Sequence, residues 1–567
     1  MTKDEEHPIT ITGLVYEFVK SHKYMLVLYL VFLAIMPVRD VGIPHMFGKL
    51  VKAIEEKSSL ITPLVYLFIA TLLLQLAYSI IDVLEIELSP RFQAFIRHKI
   101  IKHVMTENNE NFAEIESGEL LSRFMRLPHS LYTFINQWKY IFIPNLLLSI
   151  AAIVYFSIYN IVLGIVLALL ITFSWTMVYL SVKACLKHSY KAEQTVSRMY
   201  EEADDVIKNM SLVLVNNQQE AEQQHLQTFE TAYRHSLKDT MICALKLRYT
   251  IVPFNVGYFI LFVYVCYKRV QQHTMQPSTF VALIIILFKI YNSIWDISGV
   301  MNDTILRWGL LKHTIEVFNH LPSPKNEPND SATLNTHVST SGFVFKDVSF
   351  VYKNKQANTT ILEHFNLHIE KGKTVVIIGG IGSGKSTILK LILKQLTPKD
   401  GKIYYQGMPY SKLRTPDIRR LIGFIQQQPV LLNRSIYDNI RYGLSDIRKE
   451  DVQDLIKKLG LNDMFARFPK GIDTNVGKYG SNLSGGQKQV ILILRIMLID
   501  PPVLLMDEPT AAIDENTKKT IYGLLSKLMR DKTVVMVTHD DFLHKYADRI
   551  IELKNGQLVK DTLVKRT

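Results

Sequence analysis

Val375-Val376-Ile377-Ile378-Gly379-Gly380-Ile381-Gly382-Ser383-Gly384-Lys385-Ser386-Thr387 is the stretch on which the reading of the chain turns. Its β-branched apolar start predicts a buried strand. From Gly379 the chain spells G-x-x-x-x-G-K-[ST], a phosphate-binding loop. Glycines let successive backbone N–H groups face an anion with no Cβ in the way. Lys385 is placed to reach the β- and γ-phosphates, and Ser386 to offer its hydroxyl to Mg²⁺. A helix then begins at once, its positive end under the anion. Strand, loop and helix stand in the order that separates such a site from a chance Gly-rich turn.

At 567 residues the chain is too long for one core. Hydrophobic residues make up 48% of it, with long apolar runs concentrated in the first 310 residues. The formal charge of +13 fits positive loops beside anionic lipid better than nucleic-acid binding, since no Lys/Arg run carries interleaved aromatics. Cys185, Cys243 and Cys266 lie far apart without metal-ligand spacing, so neither a disulfide framework nor a zinc site is expected. Residues 1–23 are charged and polar and do not read as a cleaved signal.

Six apolar stretches pass the length test for membrane spans, at about 24–46, 60–84, 138–156, 159–180, 249–267 and 280–296, the last interrupted by Lys289. The expected organisation is a transmembrane domain over 1–320, a Pro-rich polar linker over 321–342 and a soluble α/β domain over 343–567. Connections after the second and fourth spans are long, charged and helical in pattern. Placing their Lys and Arg residues in the cytosol, against the weaker opposing vote of Lys268 and Arg269, puts both termini there as well. Arg39, Asp40, Asp82, Glu85, Lys289 and Asp296 fall within or near spans. They read either as a polar substrate path or as ion pairs on helices that overrun the bilayer.

About a hundred residues beyond the phosphate loop comes Asn482-Leu483-Ser484-Gly485-Gly486-Gln487, and then Val503-Leu504-Leu505-Met506-Asp507-Glu508. An apolar strand ending in two acids suits metal-dependent phosphoryl transfer: Asp507 holds the Mg²⁺ shell and Glu508 orients the attacking water. Ser-Gly-Gly at a helix start offers a second anion nest.

On these residues the second half resembles the nucleotide-binding domain of ATP-binding-cassette (ABC) proteins, whose signature is LSGGQ. The resemblance implies that ATP is clamped between the phosphate loop of one such domain and the signature of another. It further implies that Tyr352 stacks on adenine and that Gln427 contacts Mg²⁺ and senses the membrane domain. By the same resemblance Asp514 belongs to the D-loop, and His539 contacts the γ-phosphate. Two departures stand out: Lys478, where the family usually has Glu, and Val490, where Arg is common. The first half is similar to an exporter membrane domain, with coupling segments at Phe112 and Ser117–Arg123 and, more loosely, at Asn209–Glu222.

The fold class expected is therefore a six-helix all-α transmembrane domain followed by an α/β P-loop NTPase domain. The expected function is ATP-dependent export by a dimer of half-transporters, a homodimer being the simplest assembly and a heterodimer an alternative. ATP and Mg²⁺ are the cofactors; membrane lipid and an unidentified substrate are the partners. An ATP-gated channel, a regulatory ABC protein, or an importer built on the same fold are the competing readings.

Overall fold

The computed structural model describes residues 9–33, 35–36, 38–107, 117–319, 341–353, 358–511 and 513–564, and the chain forms two compact units.

The N-terminal unit is all helical. It comprises α1 (Ile11–Ser21), α2 (Lys23–Leu33), α3 (Ile43–Glu55), α4 (Ile61–Glu107), α5 (Ser117–Gln137), α6 (Ile143–Tyr159), α7 (Ile161–Lys208), α8 (Met210–Val215), α9 (Gln219–Gln271) and α10 (Pro277–Asn319). Among the described residues, five helical stretches are long and apolar enough to cross a membrane. The first expected span is not one of them: it is divided between α2, a π-helical turn at Val38–Gly42 and α3. A wide turn of this kind marks a site where the helical ladder yields to side-chain demands. Here it carries Arg39 and Asp40. Another π-turn, Trp138–Phe142, joins α5 to α6.

The expected third and fourth spans are separated by a single residue. Asn160 ends α6 in extended backbone and caps α7, its Oδ1 accepting from Val162 N at 3.1 Å and Leu163 N at 3.2 Å. The hairpin is tight, and the Gly164 backbone lies against Ser157. Phe156, Leu167, Leu283 and Ile286 lie at the centre of this unit with no measurable exposure.

The membrane unit also overturns one expectation. Cys185 of α7 and Cys243 of α9 form a disulfide, with Cα atoms 5.7 Å apart, while Cys266 remains a buried free thiol. Sequence distance hid this pair because α7 and α9 run back antiparallel from the α8 turn, bringing residues 58 apart side by side. Denatured protein is expected to show one maleimide-reactive thiol before reduction and three after it. Three before reduction would remove the bond.

The C-terminal unit is built on two sheets. β1 (Ser341–Lys353), β2 (Asn358–Glu370), β4 (Asp400–Tyr405) and β5 (Met408–Pro409) make an antiparallel sheet in the order β2-β1-β4-β5. The second sheet contains β3 (Thr374–Gly379), β6 (Ile422–Ile425), β7 (Val503–Asp507), β8 (Thr533–Val537), β9 (Arg549–Lys554) and β10 (Gln557–Leu563). Its order is β10-β9-β3-β8-β7-β6, parallel from β9 to β6.

Both faces of the parallel sheet are covered, which is why its strands read as unbroken apolar runs. Val503, Leu505, Val535 and Val537 face one core; Leu504, Met506, Val534 and Met536 face the other. Around the sheet lie α11 (Lys385–Ile392), α12 (Thr415–Arg420), α13 (Ile436–Ile440), α14 (Lys449–Lys458), α15 (Asn462–Ala466), α16 (Gly485–Ile499), α17 (Glu515–Leu528) and α18 (Asp541–His544). Val490, one of the two departures, is fully buried on α16 in the core that Leu504, Met506, Val534 and Met536 face. An Arg there would have to carry its charge to the surface.

Candidate nucleotide site

Topology alone gathers the expected residues. β3 pairs with β8 and β8 with β7, all parallel, so the C-terminal ends of the three strands lie side by side. β3 delivers Gly379–Thr387, β7 delivers Asp507 and Glu508, and β8 leads into His539. Crevices outside the carboxyl ends of parallel strands are where α/β sheets bind ligands.

The loop after β3 has the form its glycines permit. Gly382 and Gly384 take φ of +77° and +99°, and α11 starts immediately at Lys385. A Cβ at Gly380 or Gly382 would meet nothing within 4 Å, so the loop leaves open space for phosphate oxygens. Ile381 at its tip is fully exposed, while Ser383 and Thr387 are buried. Lys385 Nζ donates to the carbonyls of Gly379 at 2.6 Å and Gly380 at 2.9 Å, holding the ammonium across the mouth of the loop.

Asp507 lies near Ser386. Burial pushes the Asp507 carboxyl above the ordinary carboxylate range, opposed by the Ser386 hydroxyl and the charges of Lys385 and Lys390. A half-buried carboxylate that is costly to ionise gains by meeting a cation. Hydroxyl, carboxylate, ammonium and an amide-rich loop thus form a donor set that fits a magnesium-bound polyphosphate.

Glu508 adopts φ of +48°, in the left-handed region that side chains other than glycine rarely occupy, and its N–H donates to Val537 O at 2.8 Å. That turn breaks the strand's alternation just where the second carboxylate is needed. Its Oε1 lies 3.7 Å from His539 Nε2. The next residues are braced: Thr510 and Tyr522 both donate to Asp540 Oδ2, at 2.9 and 2.5 Å. Although burial opposes it, these bonds and the Phe542 N–H hold Asp540 below its usual range.

Tyr352 is half-buried at the end of β1, edge-on to Phe350 with ring centroids 4.9 Å apart. Gln427 is exposed just past β6. Asp514 caps α17, accepting from Thr517 N at 2.9 Å, and its carboxyl is held below the ordinary range by that bond. Ala512 beside it lies outside the described residues, as does Phe112 of the first coupling segment.

The signature residues cap a helix of their own. Ser484 caps α16, its Oγ accepting from Gln487 N at 3.2 Å while Gln487 Oε1 accepts from Ser484 N at 2.8 Å. Gly485 is exposed, and Gly486 is pressed so closely on Thr517 of α17 that a Cβ would lie 2.4 Å from its Cγ2. Among the described residues, Ser484 and Gln487 bond to each other rather than to the loop of Gly379–Thr387.

One contributor escaped the sequence reading. Gln489, only 1% exposed, donates to Pro509 O at 3.0 Å and reaches Gln426 O at 3.5 Å. It therefore ties α16 to the backbone beside both Glu508 and Gln427. The signal was present: a lone amide opening the apolar run Val490–Leu494.

Residues 362–511 match the ABC transporter family and residues 26–312 the ABC transporter transmembrane region, the latter over half of the chain. The chain belongs to the ABC transporter family. It is similar to the ATP-dependent lipid A-core flippase of Legionella pneumophila (strain Paris), 27% identical over 82% of this chain and 78% of that protein. The human mitochondrial iron-sulfur clusters transporter ABCB7 is 30% identical over 63% of this chain and 47% of its own length. Matches to the Arabidopsis thaliana ABC transporter B family members 19 and 14, at 36% and 34% identity, span 19% of the length of each. A bacterial Atm1-family ABC exporter solved with ATP bound superposes with a TM-score of 0.84 over 95% of both chains. At 20% identity that likeness establishes the fold. The ABC transporter family and its paired domains imply a multi-pass membrane protein that binds ATP.

Proposed function

We propose that the chain is one half of an ATP-driven export pump that works as a dimer, its nucleotide-binding domain and both termini in the cytosol. The observation that carries this is the convergence of Lys385, Ser386, Asp507, Glu508 and His539 at three adjacent strand ends, while the signature Ser484 bonds to Gln487 in a cap of α16. A site holding one wall of a phosphate cradle, with its second wall facing outward, is completed by a second copy.

In this reading the amides of Gly380–Gly384 and the ammonium of Lys385 bind the phosphates of ATP. Ser386, Asp507 and Gln427 would hold Mg²⁺, which when bound would neutralise phosphate charge. Glu508 orients water in line with the γ-phosphate and takes its proton, and His539 beside it steadies the phosphate. Tyr352 receives the adenine face, and Asp514 lines the partner-facing edge. Joining of two such domains around ATP favours one arrangement of the helices, and hydrolysis releases it.

In the membrane unit, Leu212, Leu214 and Val215 at the α8 turn are exposed. We read them as apolar pressing points for transmitting that motion. The test is an ATP-dependent disulfide between Ile381→Cys of one protomer and Ser481→Cys of another, in the Glu508→Gln background. Formation with ATP and not without it supports the clamp; a bond indifferent to ATP overturns it.

Lys478 opens a short turn beside the signature, its Nζ 5.5 Å from the ring of exposed Tyr479. Lys478→Glu is expected to change stimulation of ATP turnover by cargo while leaving turnover without cargo near wild type. Unaltered stimulation would show that the charge there has no part in coupling.

A further inference from the structure

Within the membrane unit, two cations share one carboxylate. Asp40, 2% exposed, accepts from Arg39 Nε at 2.7 Å and Nη2 at 2.8 Å, and Lys289 Nζ of α10 lies 3.5 Å from its Oδ1. Arg39 also donates to the Tyr78 hydroxyl of α4. The cluster thus joins the π-turn to two long helices and, among the described residues, sets two cations against one carboxylate.

Its depth follows from packing. The Gly48 backbone lies against Ser278, at the start of α10. Counting from that level, Asp40 lies about 12 Å and Lys289 about 16 Å along their helices. With the start of α10 taken as the edge of a hydrocarbon layer of about 30 Å, this is the middle, where ionic groups are rare and face a polar interior or a partner. Yet the side chains of Arg39 and Lys289 keep 38% and 43% of their exposure, so both have room for another ligand.

Carboxylates lie on the same stripes farther along. Asp82 is one turn beyond Tyr78 on α4, and Asp296 is two turns beyond Lys289 on α10; both are exposed. They are positioned to disfavour a second anionic group towards the Glu107 end of α4.

We propose that Arg39 and Lys289 form the docking point for a single anionic group on the transported molecule: a carboxylate, sulfonate or phosphate attached to a neutral or cationic remainder. This rests on reading the chain as a transporter. The physical reason is that a surplus cation at this depth is costly, whereas an anion brought to it restores neutrality.

The test is direct binding without ATP, using full-length protein in phosphatidylcholine nanodiscs. Three probes share one fluorophore: dansylglycine (anionic), dansylamide (neutral) and dansyl-ethylenediamine (cationic). Saturable binding of dansylglycine is expected to be at least about tenfold tighter than that of the other two. Lys289→Gln is expected to remove most of that preference, and Lys289→Arg to keep it, which separates charge from folding. Equal affinity for all three probes, or unchanged dansylglycine binding by Lys289→Gln, would overturn the proposal.

Repeating the titration with phosphatidylglycerol in the disc identifies the source of the anion. Competition assigns it to a lipid headgroup, and its absence to a soluble molecule; either result retains the docking point. Because no nucleotide is used, a negative result leaves ATP-driven transport standing. Loss of turnover with intact anion binding would count against transport alone.

Discussion

Glu508→Gln is expected to slow ATP turnover by about two to four orders of magnitude while nucleotide remains bound. The amide keeps the size and reach of the carboxylate, so the left-handed turn at φ +48° and the bond from its N–H to Val537 O are undisturbed. What is lost is the carboxylate assigned to take a proton from the water in line with the γ-phosphate. Phosphate release and retained radiolabelled ATP, measured on the same preparation, separate the two effects. Near-normal release would assign the base elsewhere, with His539, 3.7 Å away, the first residue to examine.

Lys385→Ala acts one step earlier, on binding. The ammonium lies 2.6 and 2.9 Å from two loop carbonyls, where it can turn towards phosphate oxygens without moving the backbone. Charge-assisted bonds to phosphate are the strong ones, and removing the donor is expected to weaken ATP binding about a hundredfold. Lys385→Arg is expected to restore little of it, because a planar fork does not fit a loop shaped around a point charge. Titration with a fluorescent ATP analogue measures both variants. Affinity within about twofold of wild type for Lys385→Ala would remove Lys385 from the phosphate grip.

The nucleotide-binding half was legible because its chemistry is local in sequence. Glycine, lysine and serine sit in one loop, and two acids end one strand. The parallel sheet needed only to align β3, β7 and β8 for these segments to meet. Gln489 was harder to see because its partners are backbone carbonyls, which leave no mark on composition.

In the membrane half, hydropathy locates apolar helices but says nothing about which faces meet. The π-turn at Val38–Gly42 leaves no mark in hydropathy, and the pairing of Asp40 with Lys289 depends on contact between distant segments. The Cys185–Cys243 bond was missed for the same reason. Cysteine spacing along a chain is informative for small loop-rich folds, not for antiparallel helices tens of residues long.

That bond has a mechanical consequence. Cys185 lies 23 residues, or about 35 Å, from the Lys208 end of α7. From the staple to the α8 turn the two arms cannot slide past one another, so this segment behaves as a single stiff rod. Any splaying of α7 from α9 must then occur on the far side of the staple. Cutting it would leave the two arms held by the α8 turn and side-chain packing alone.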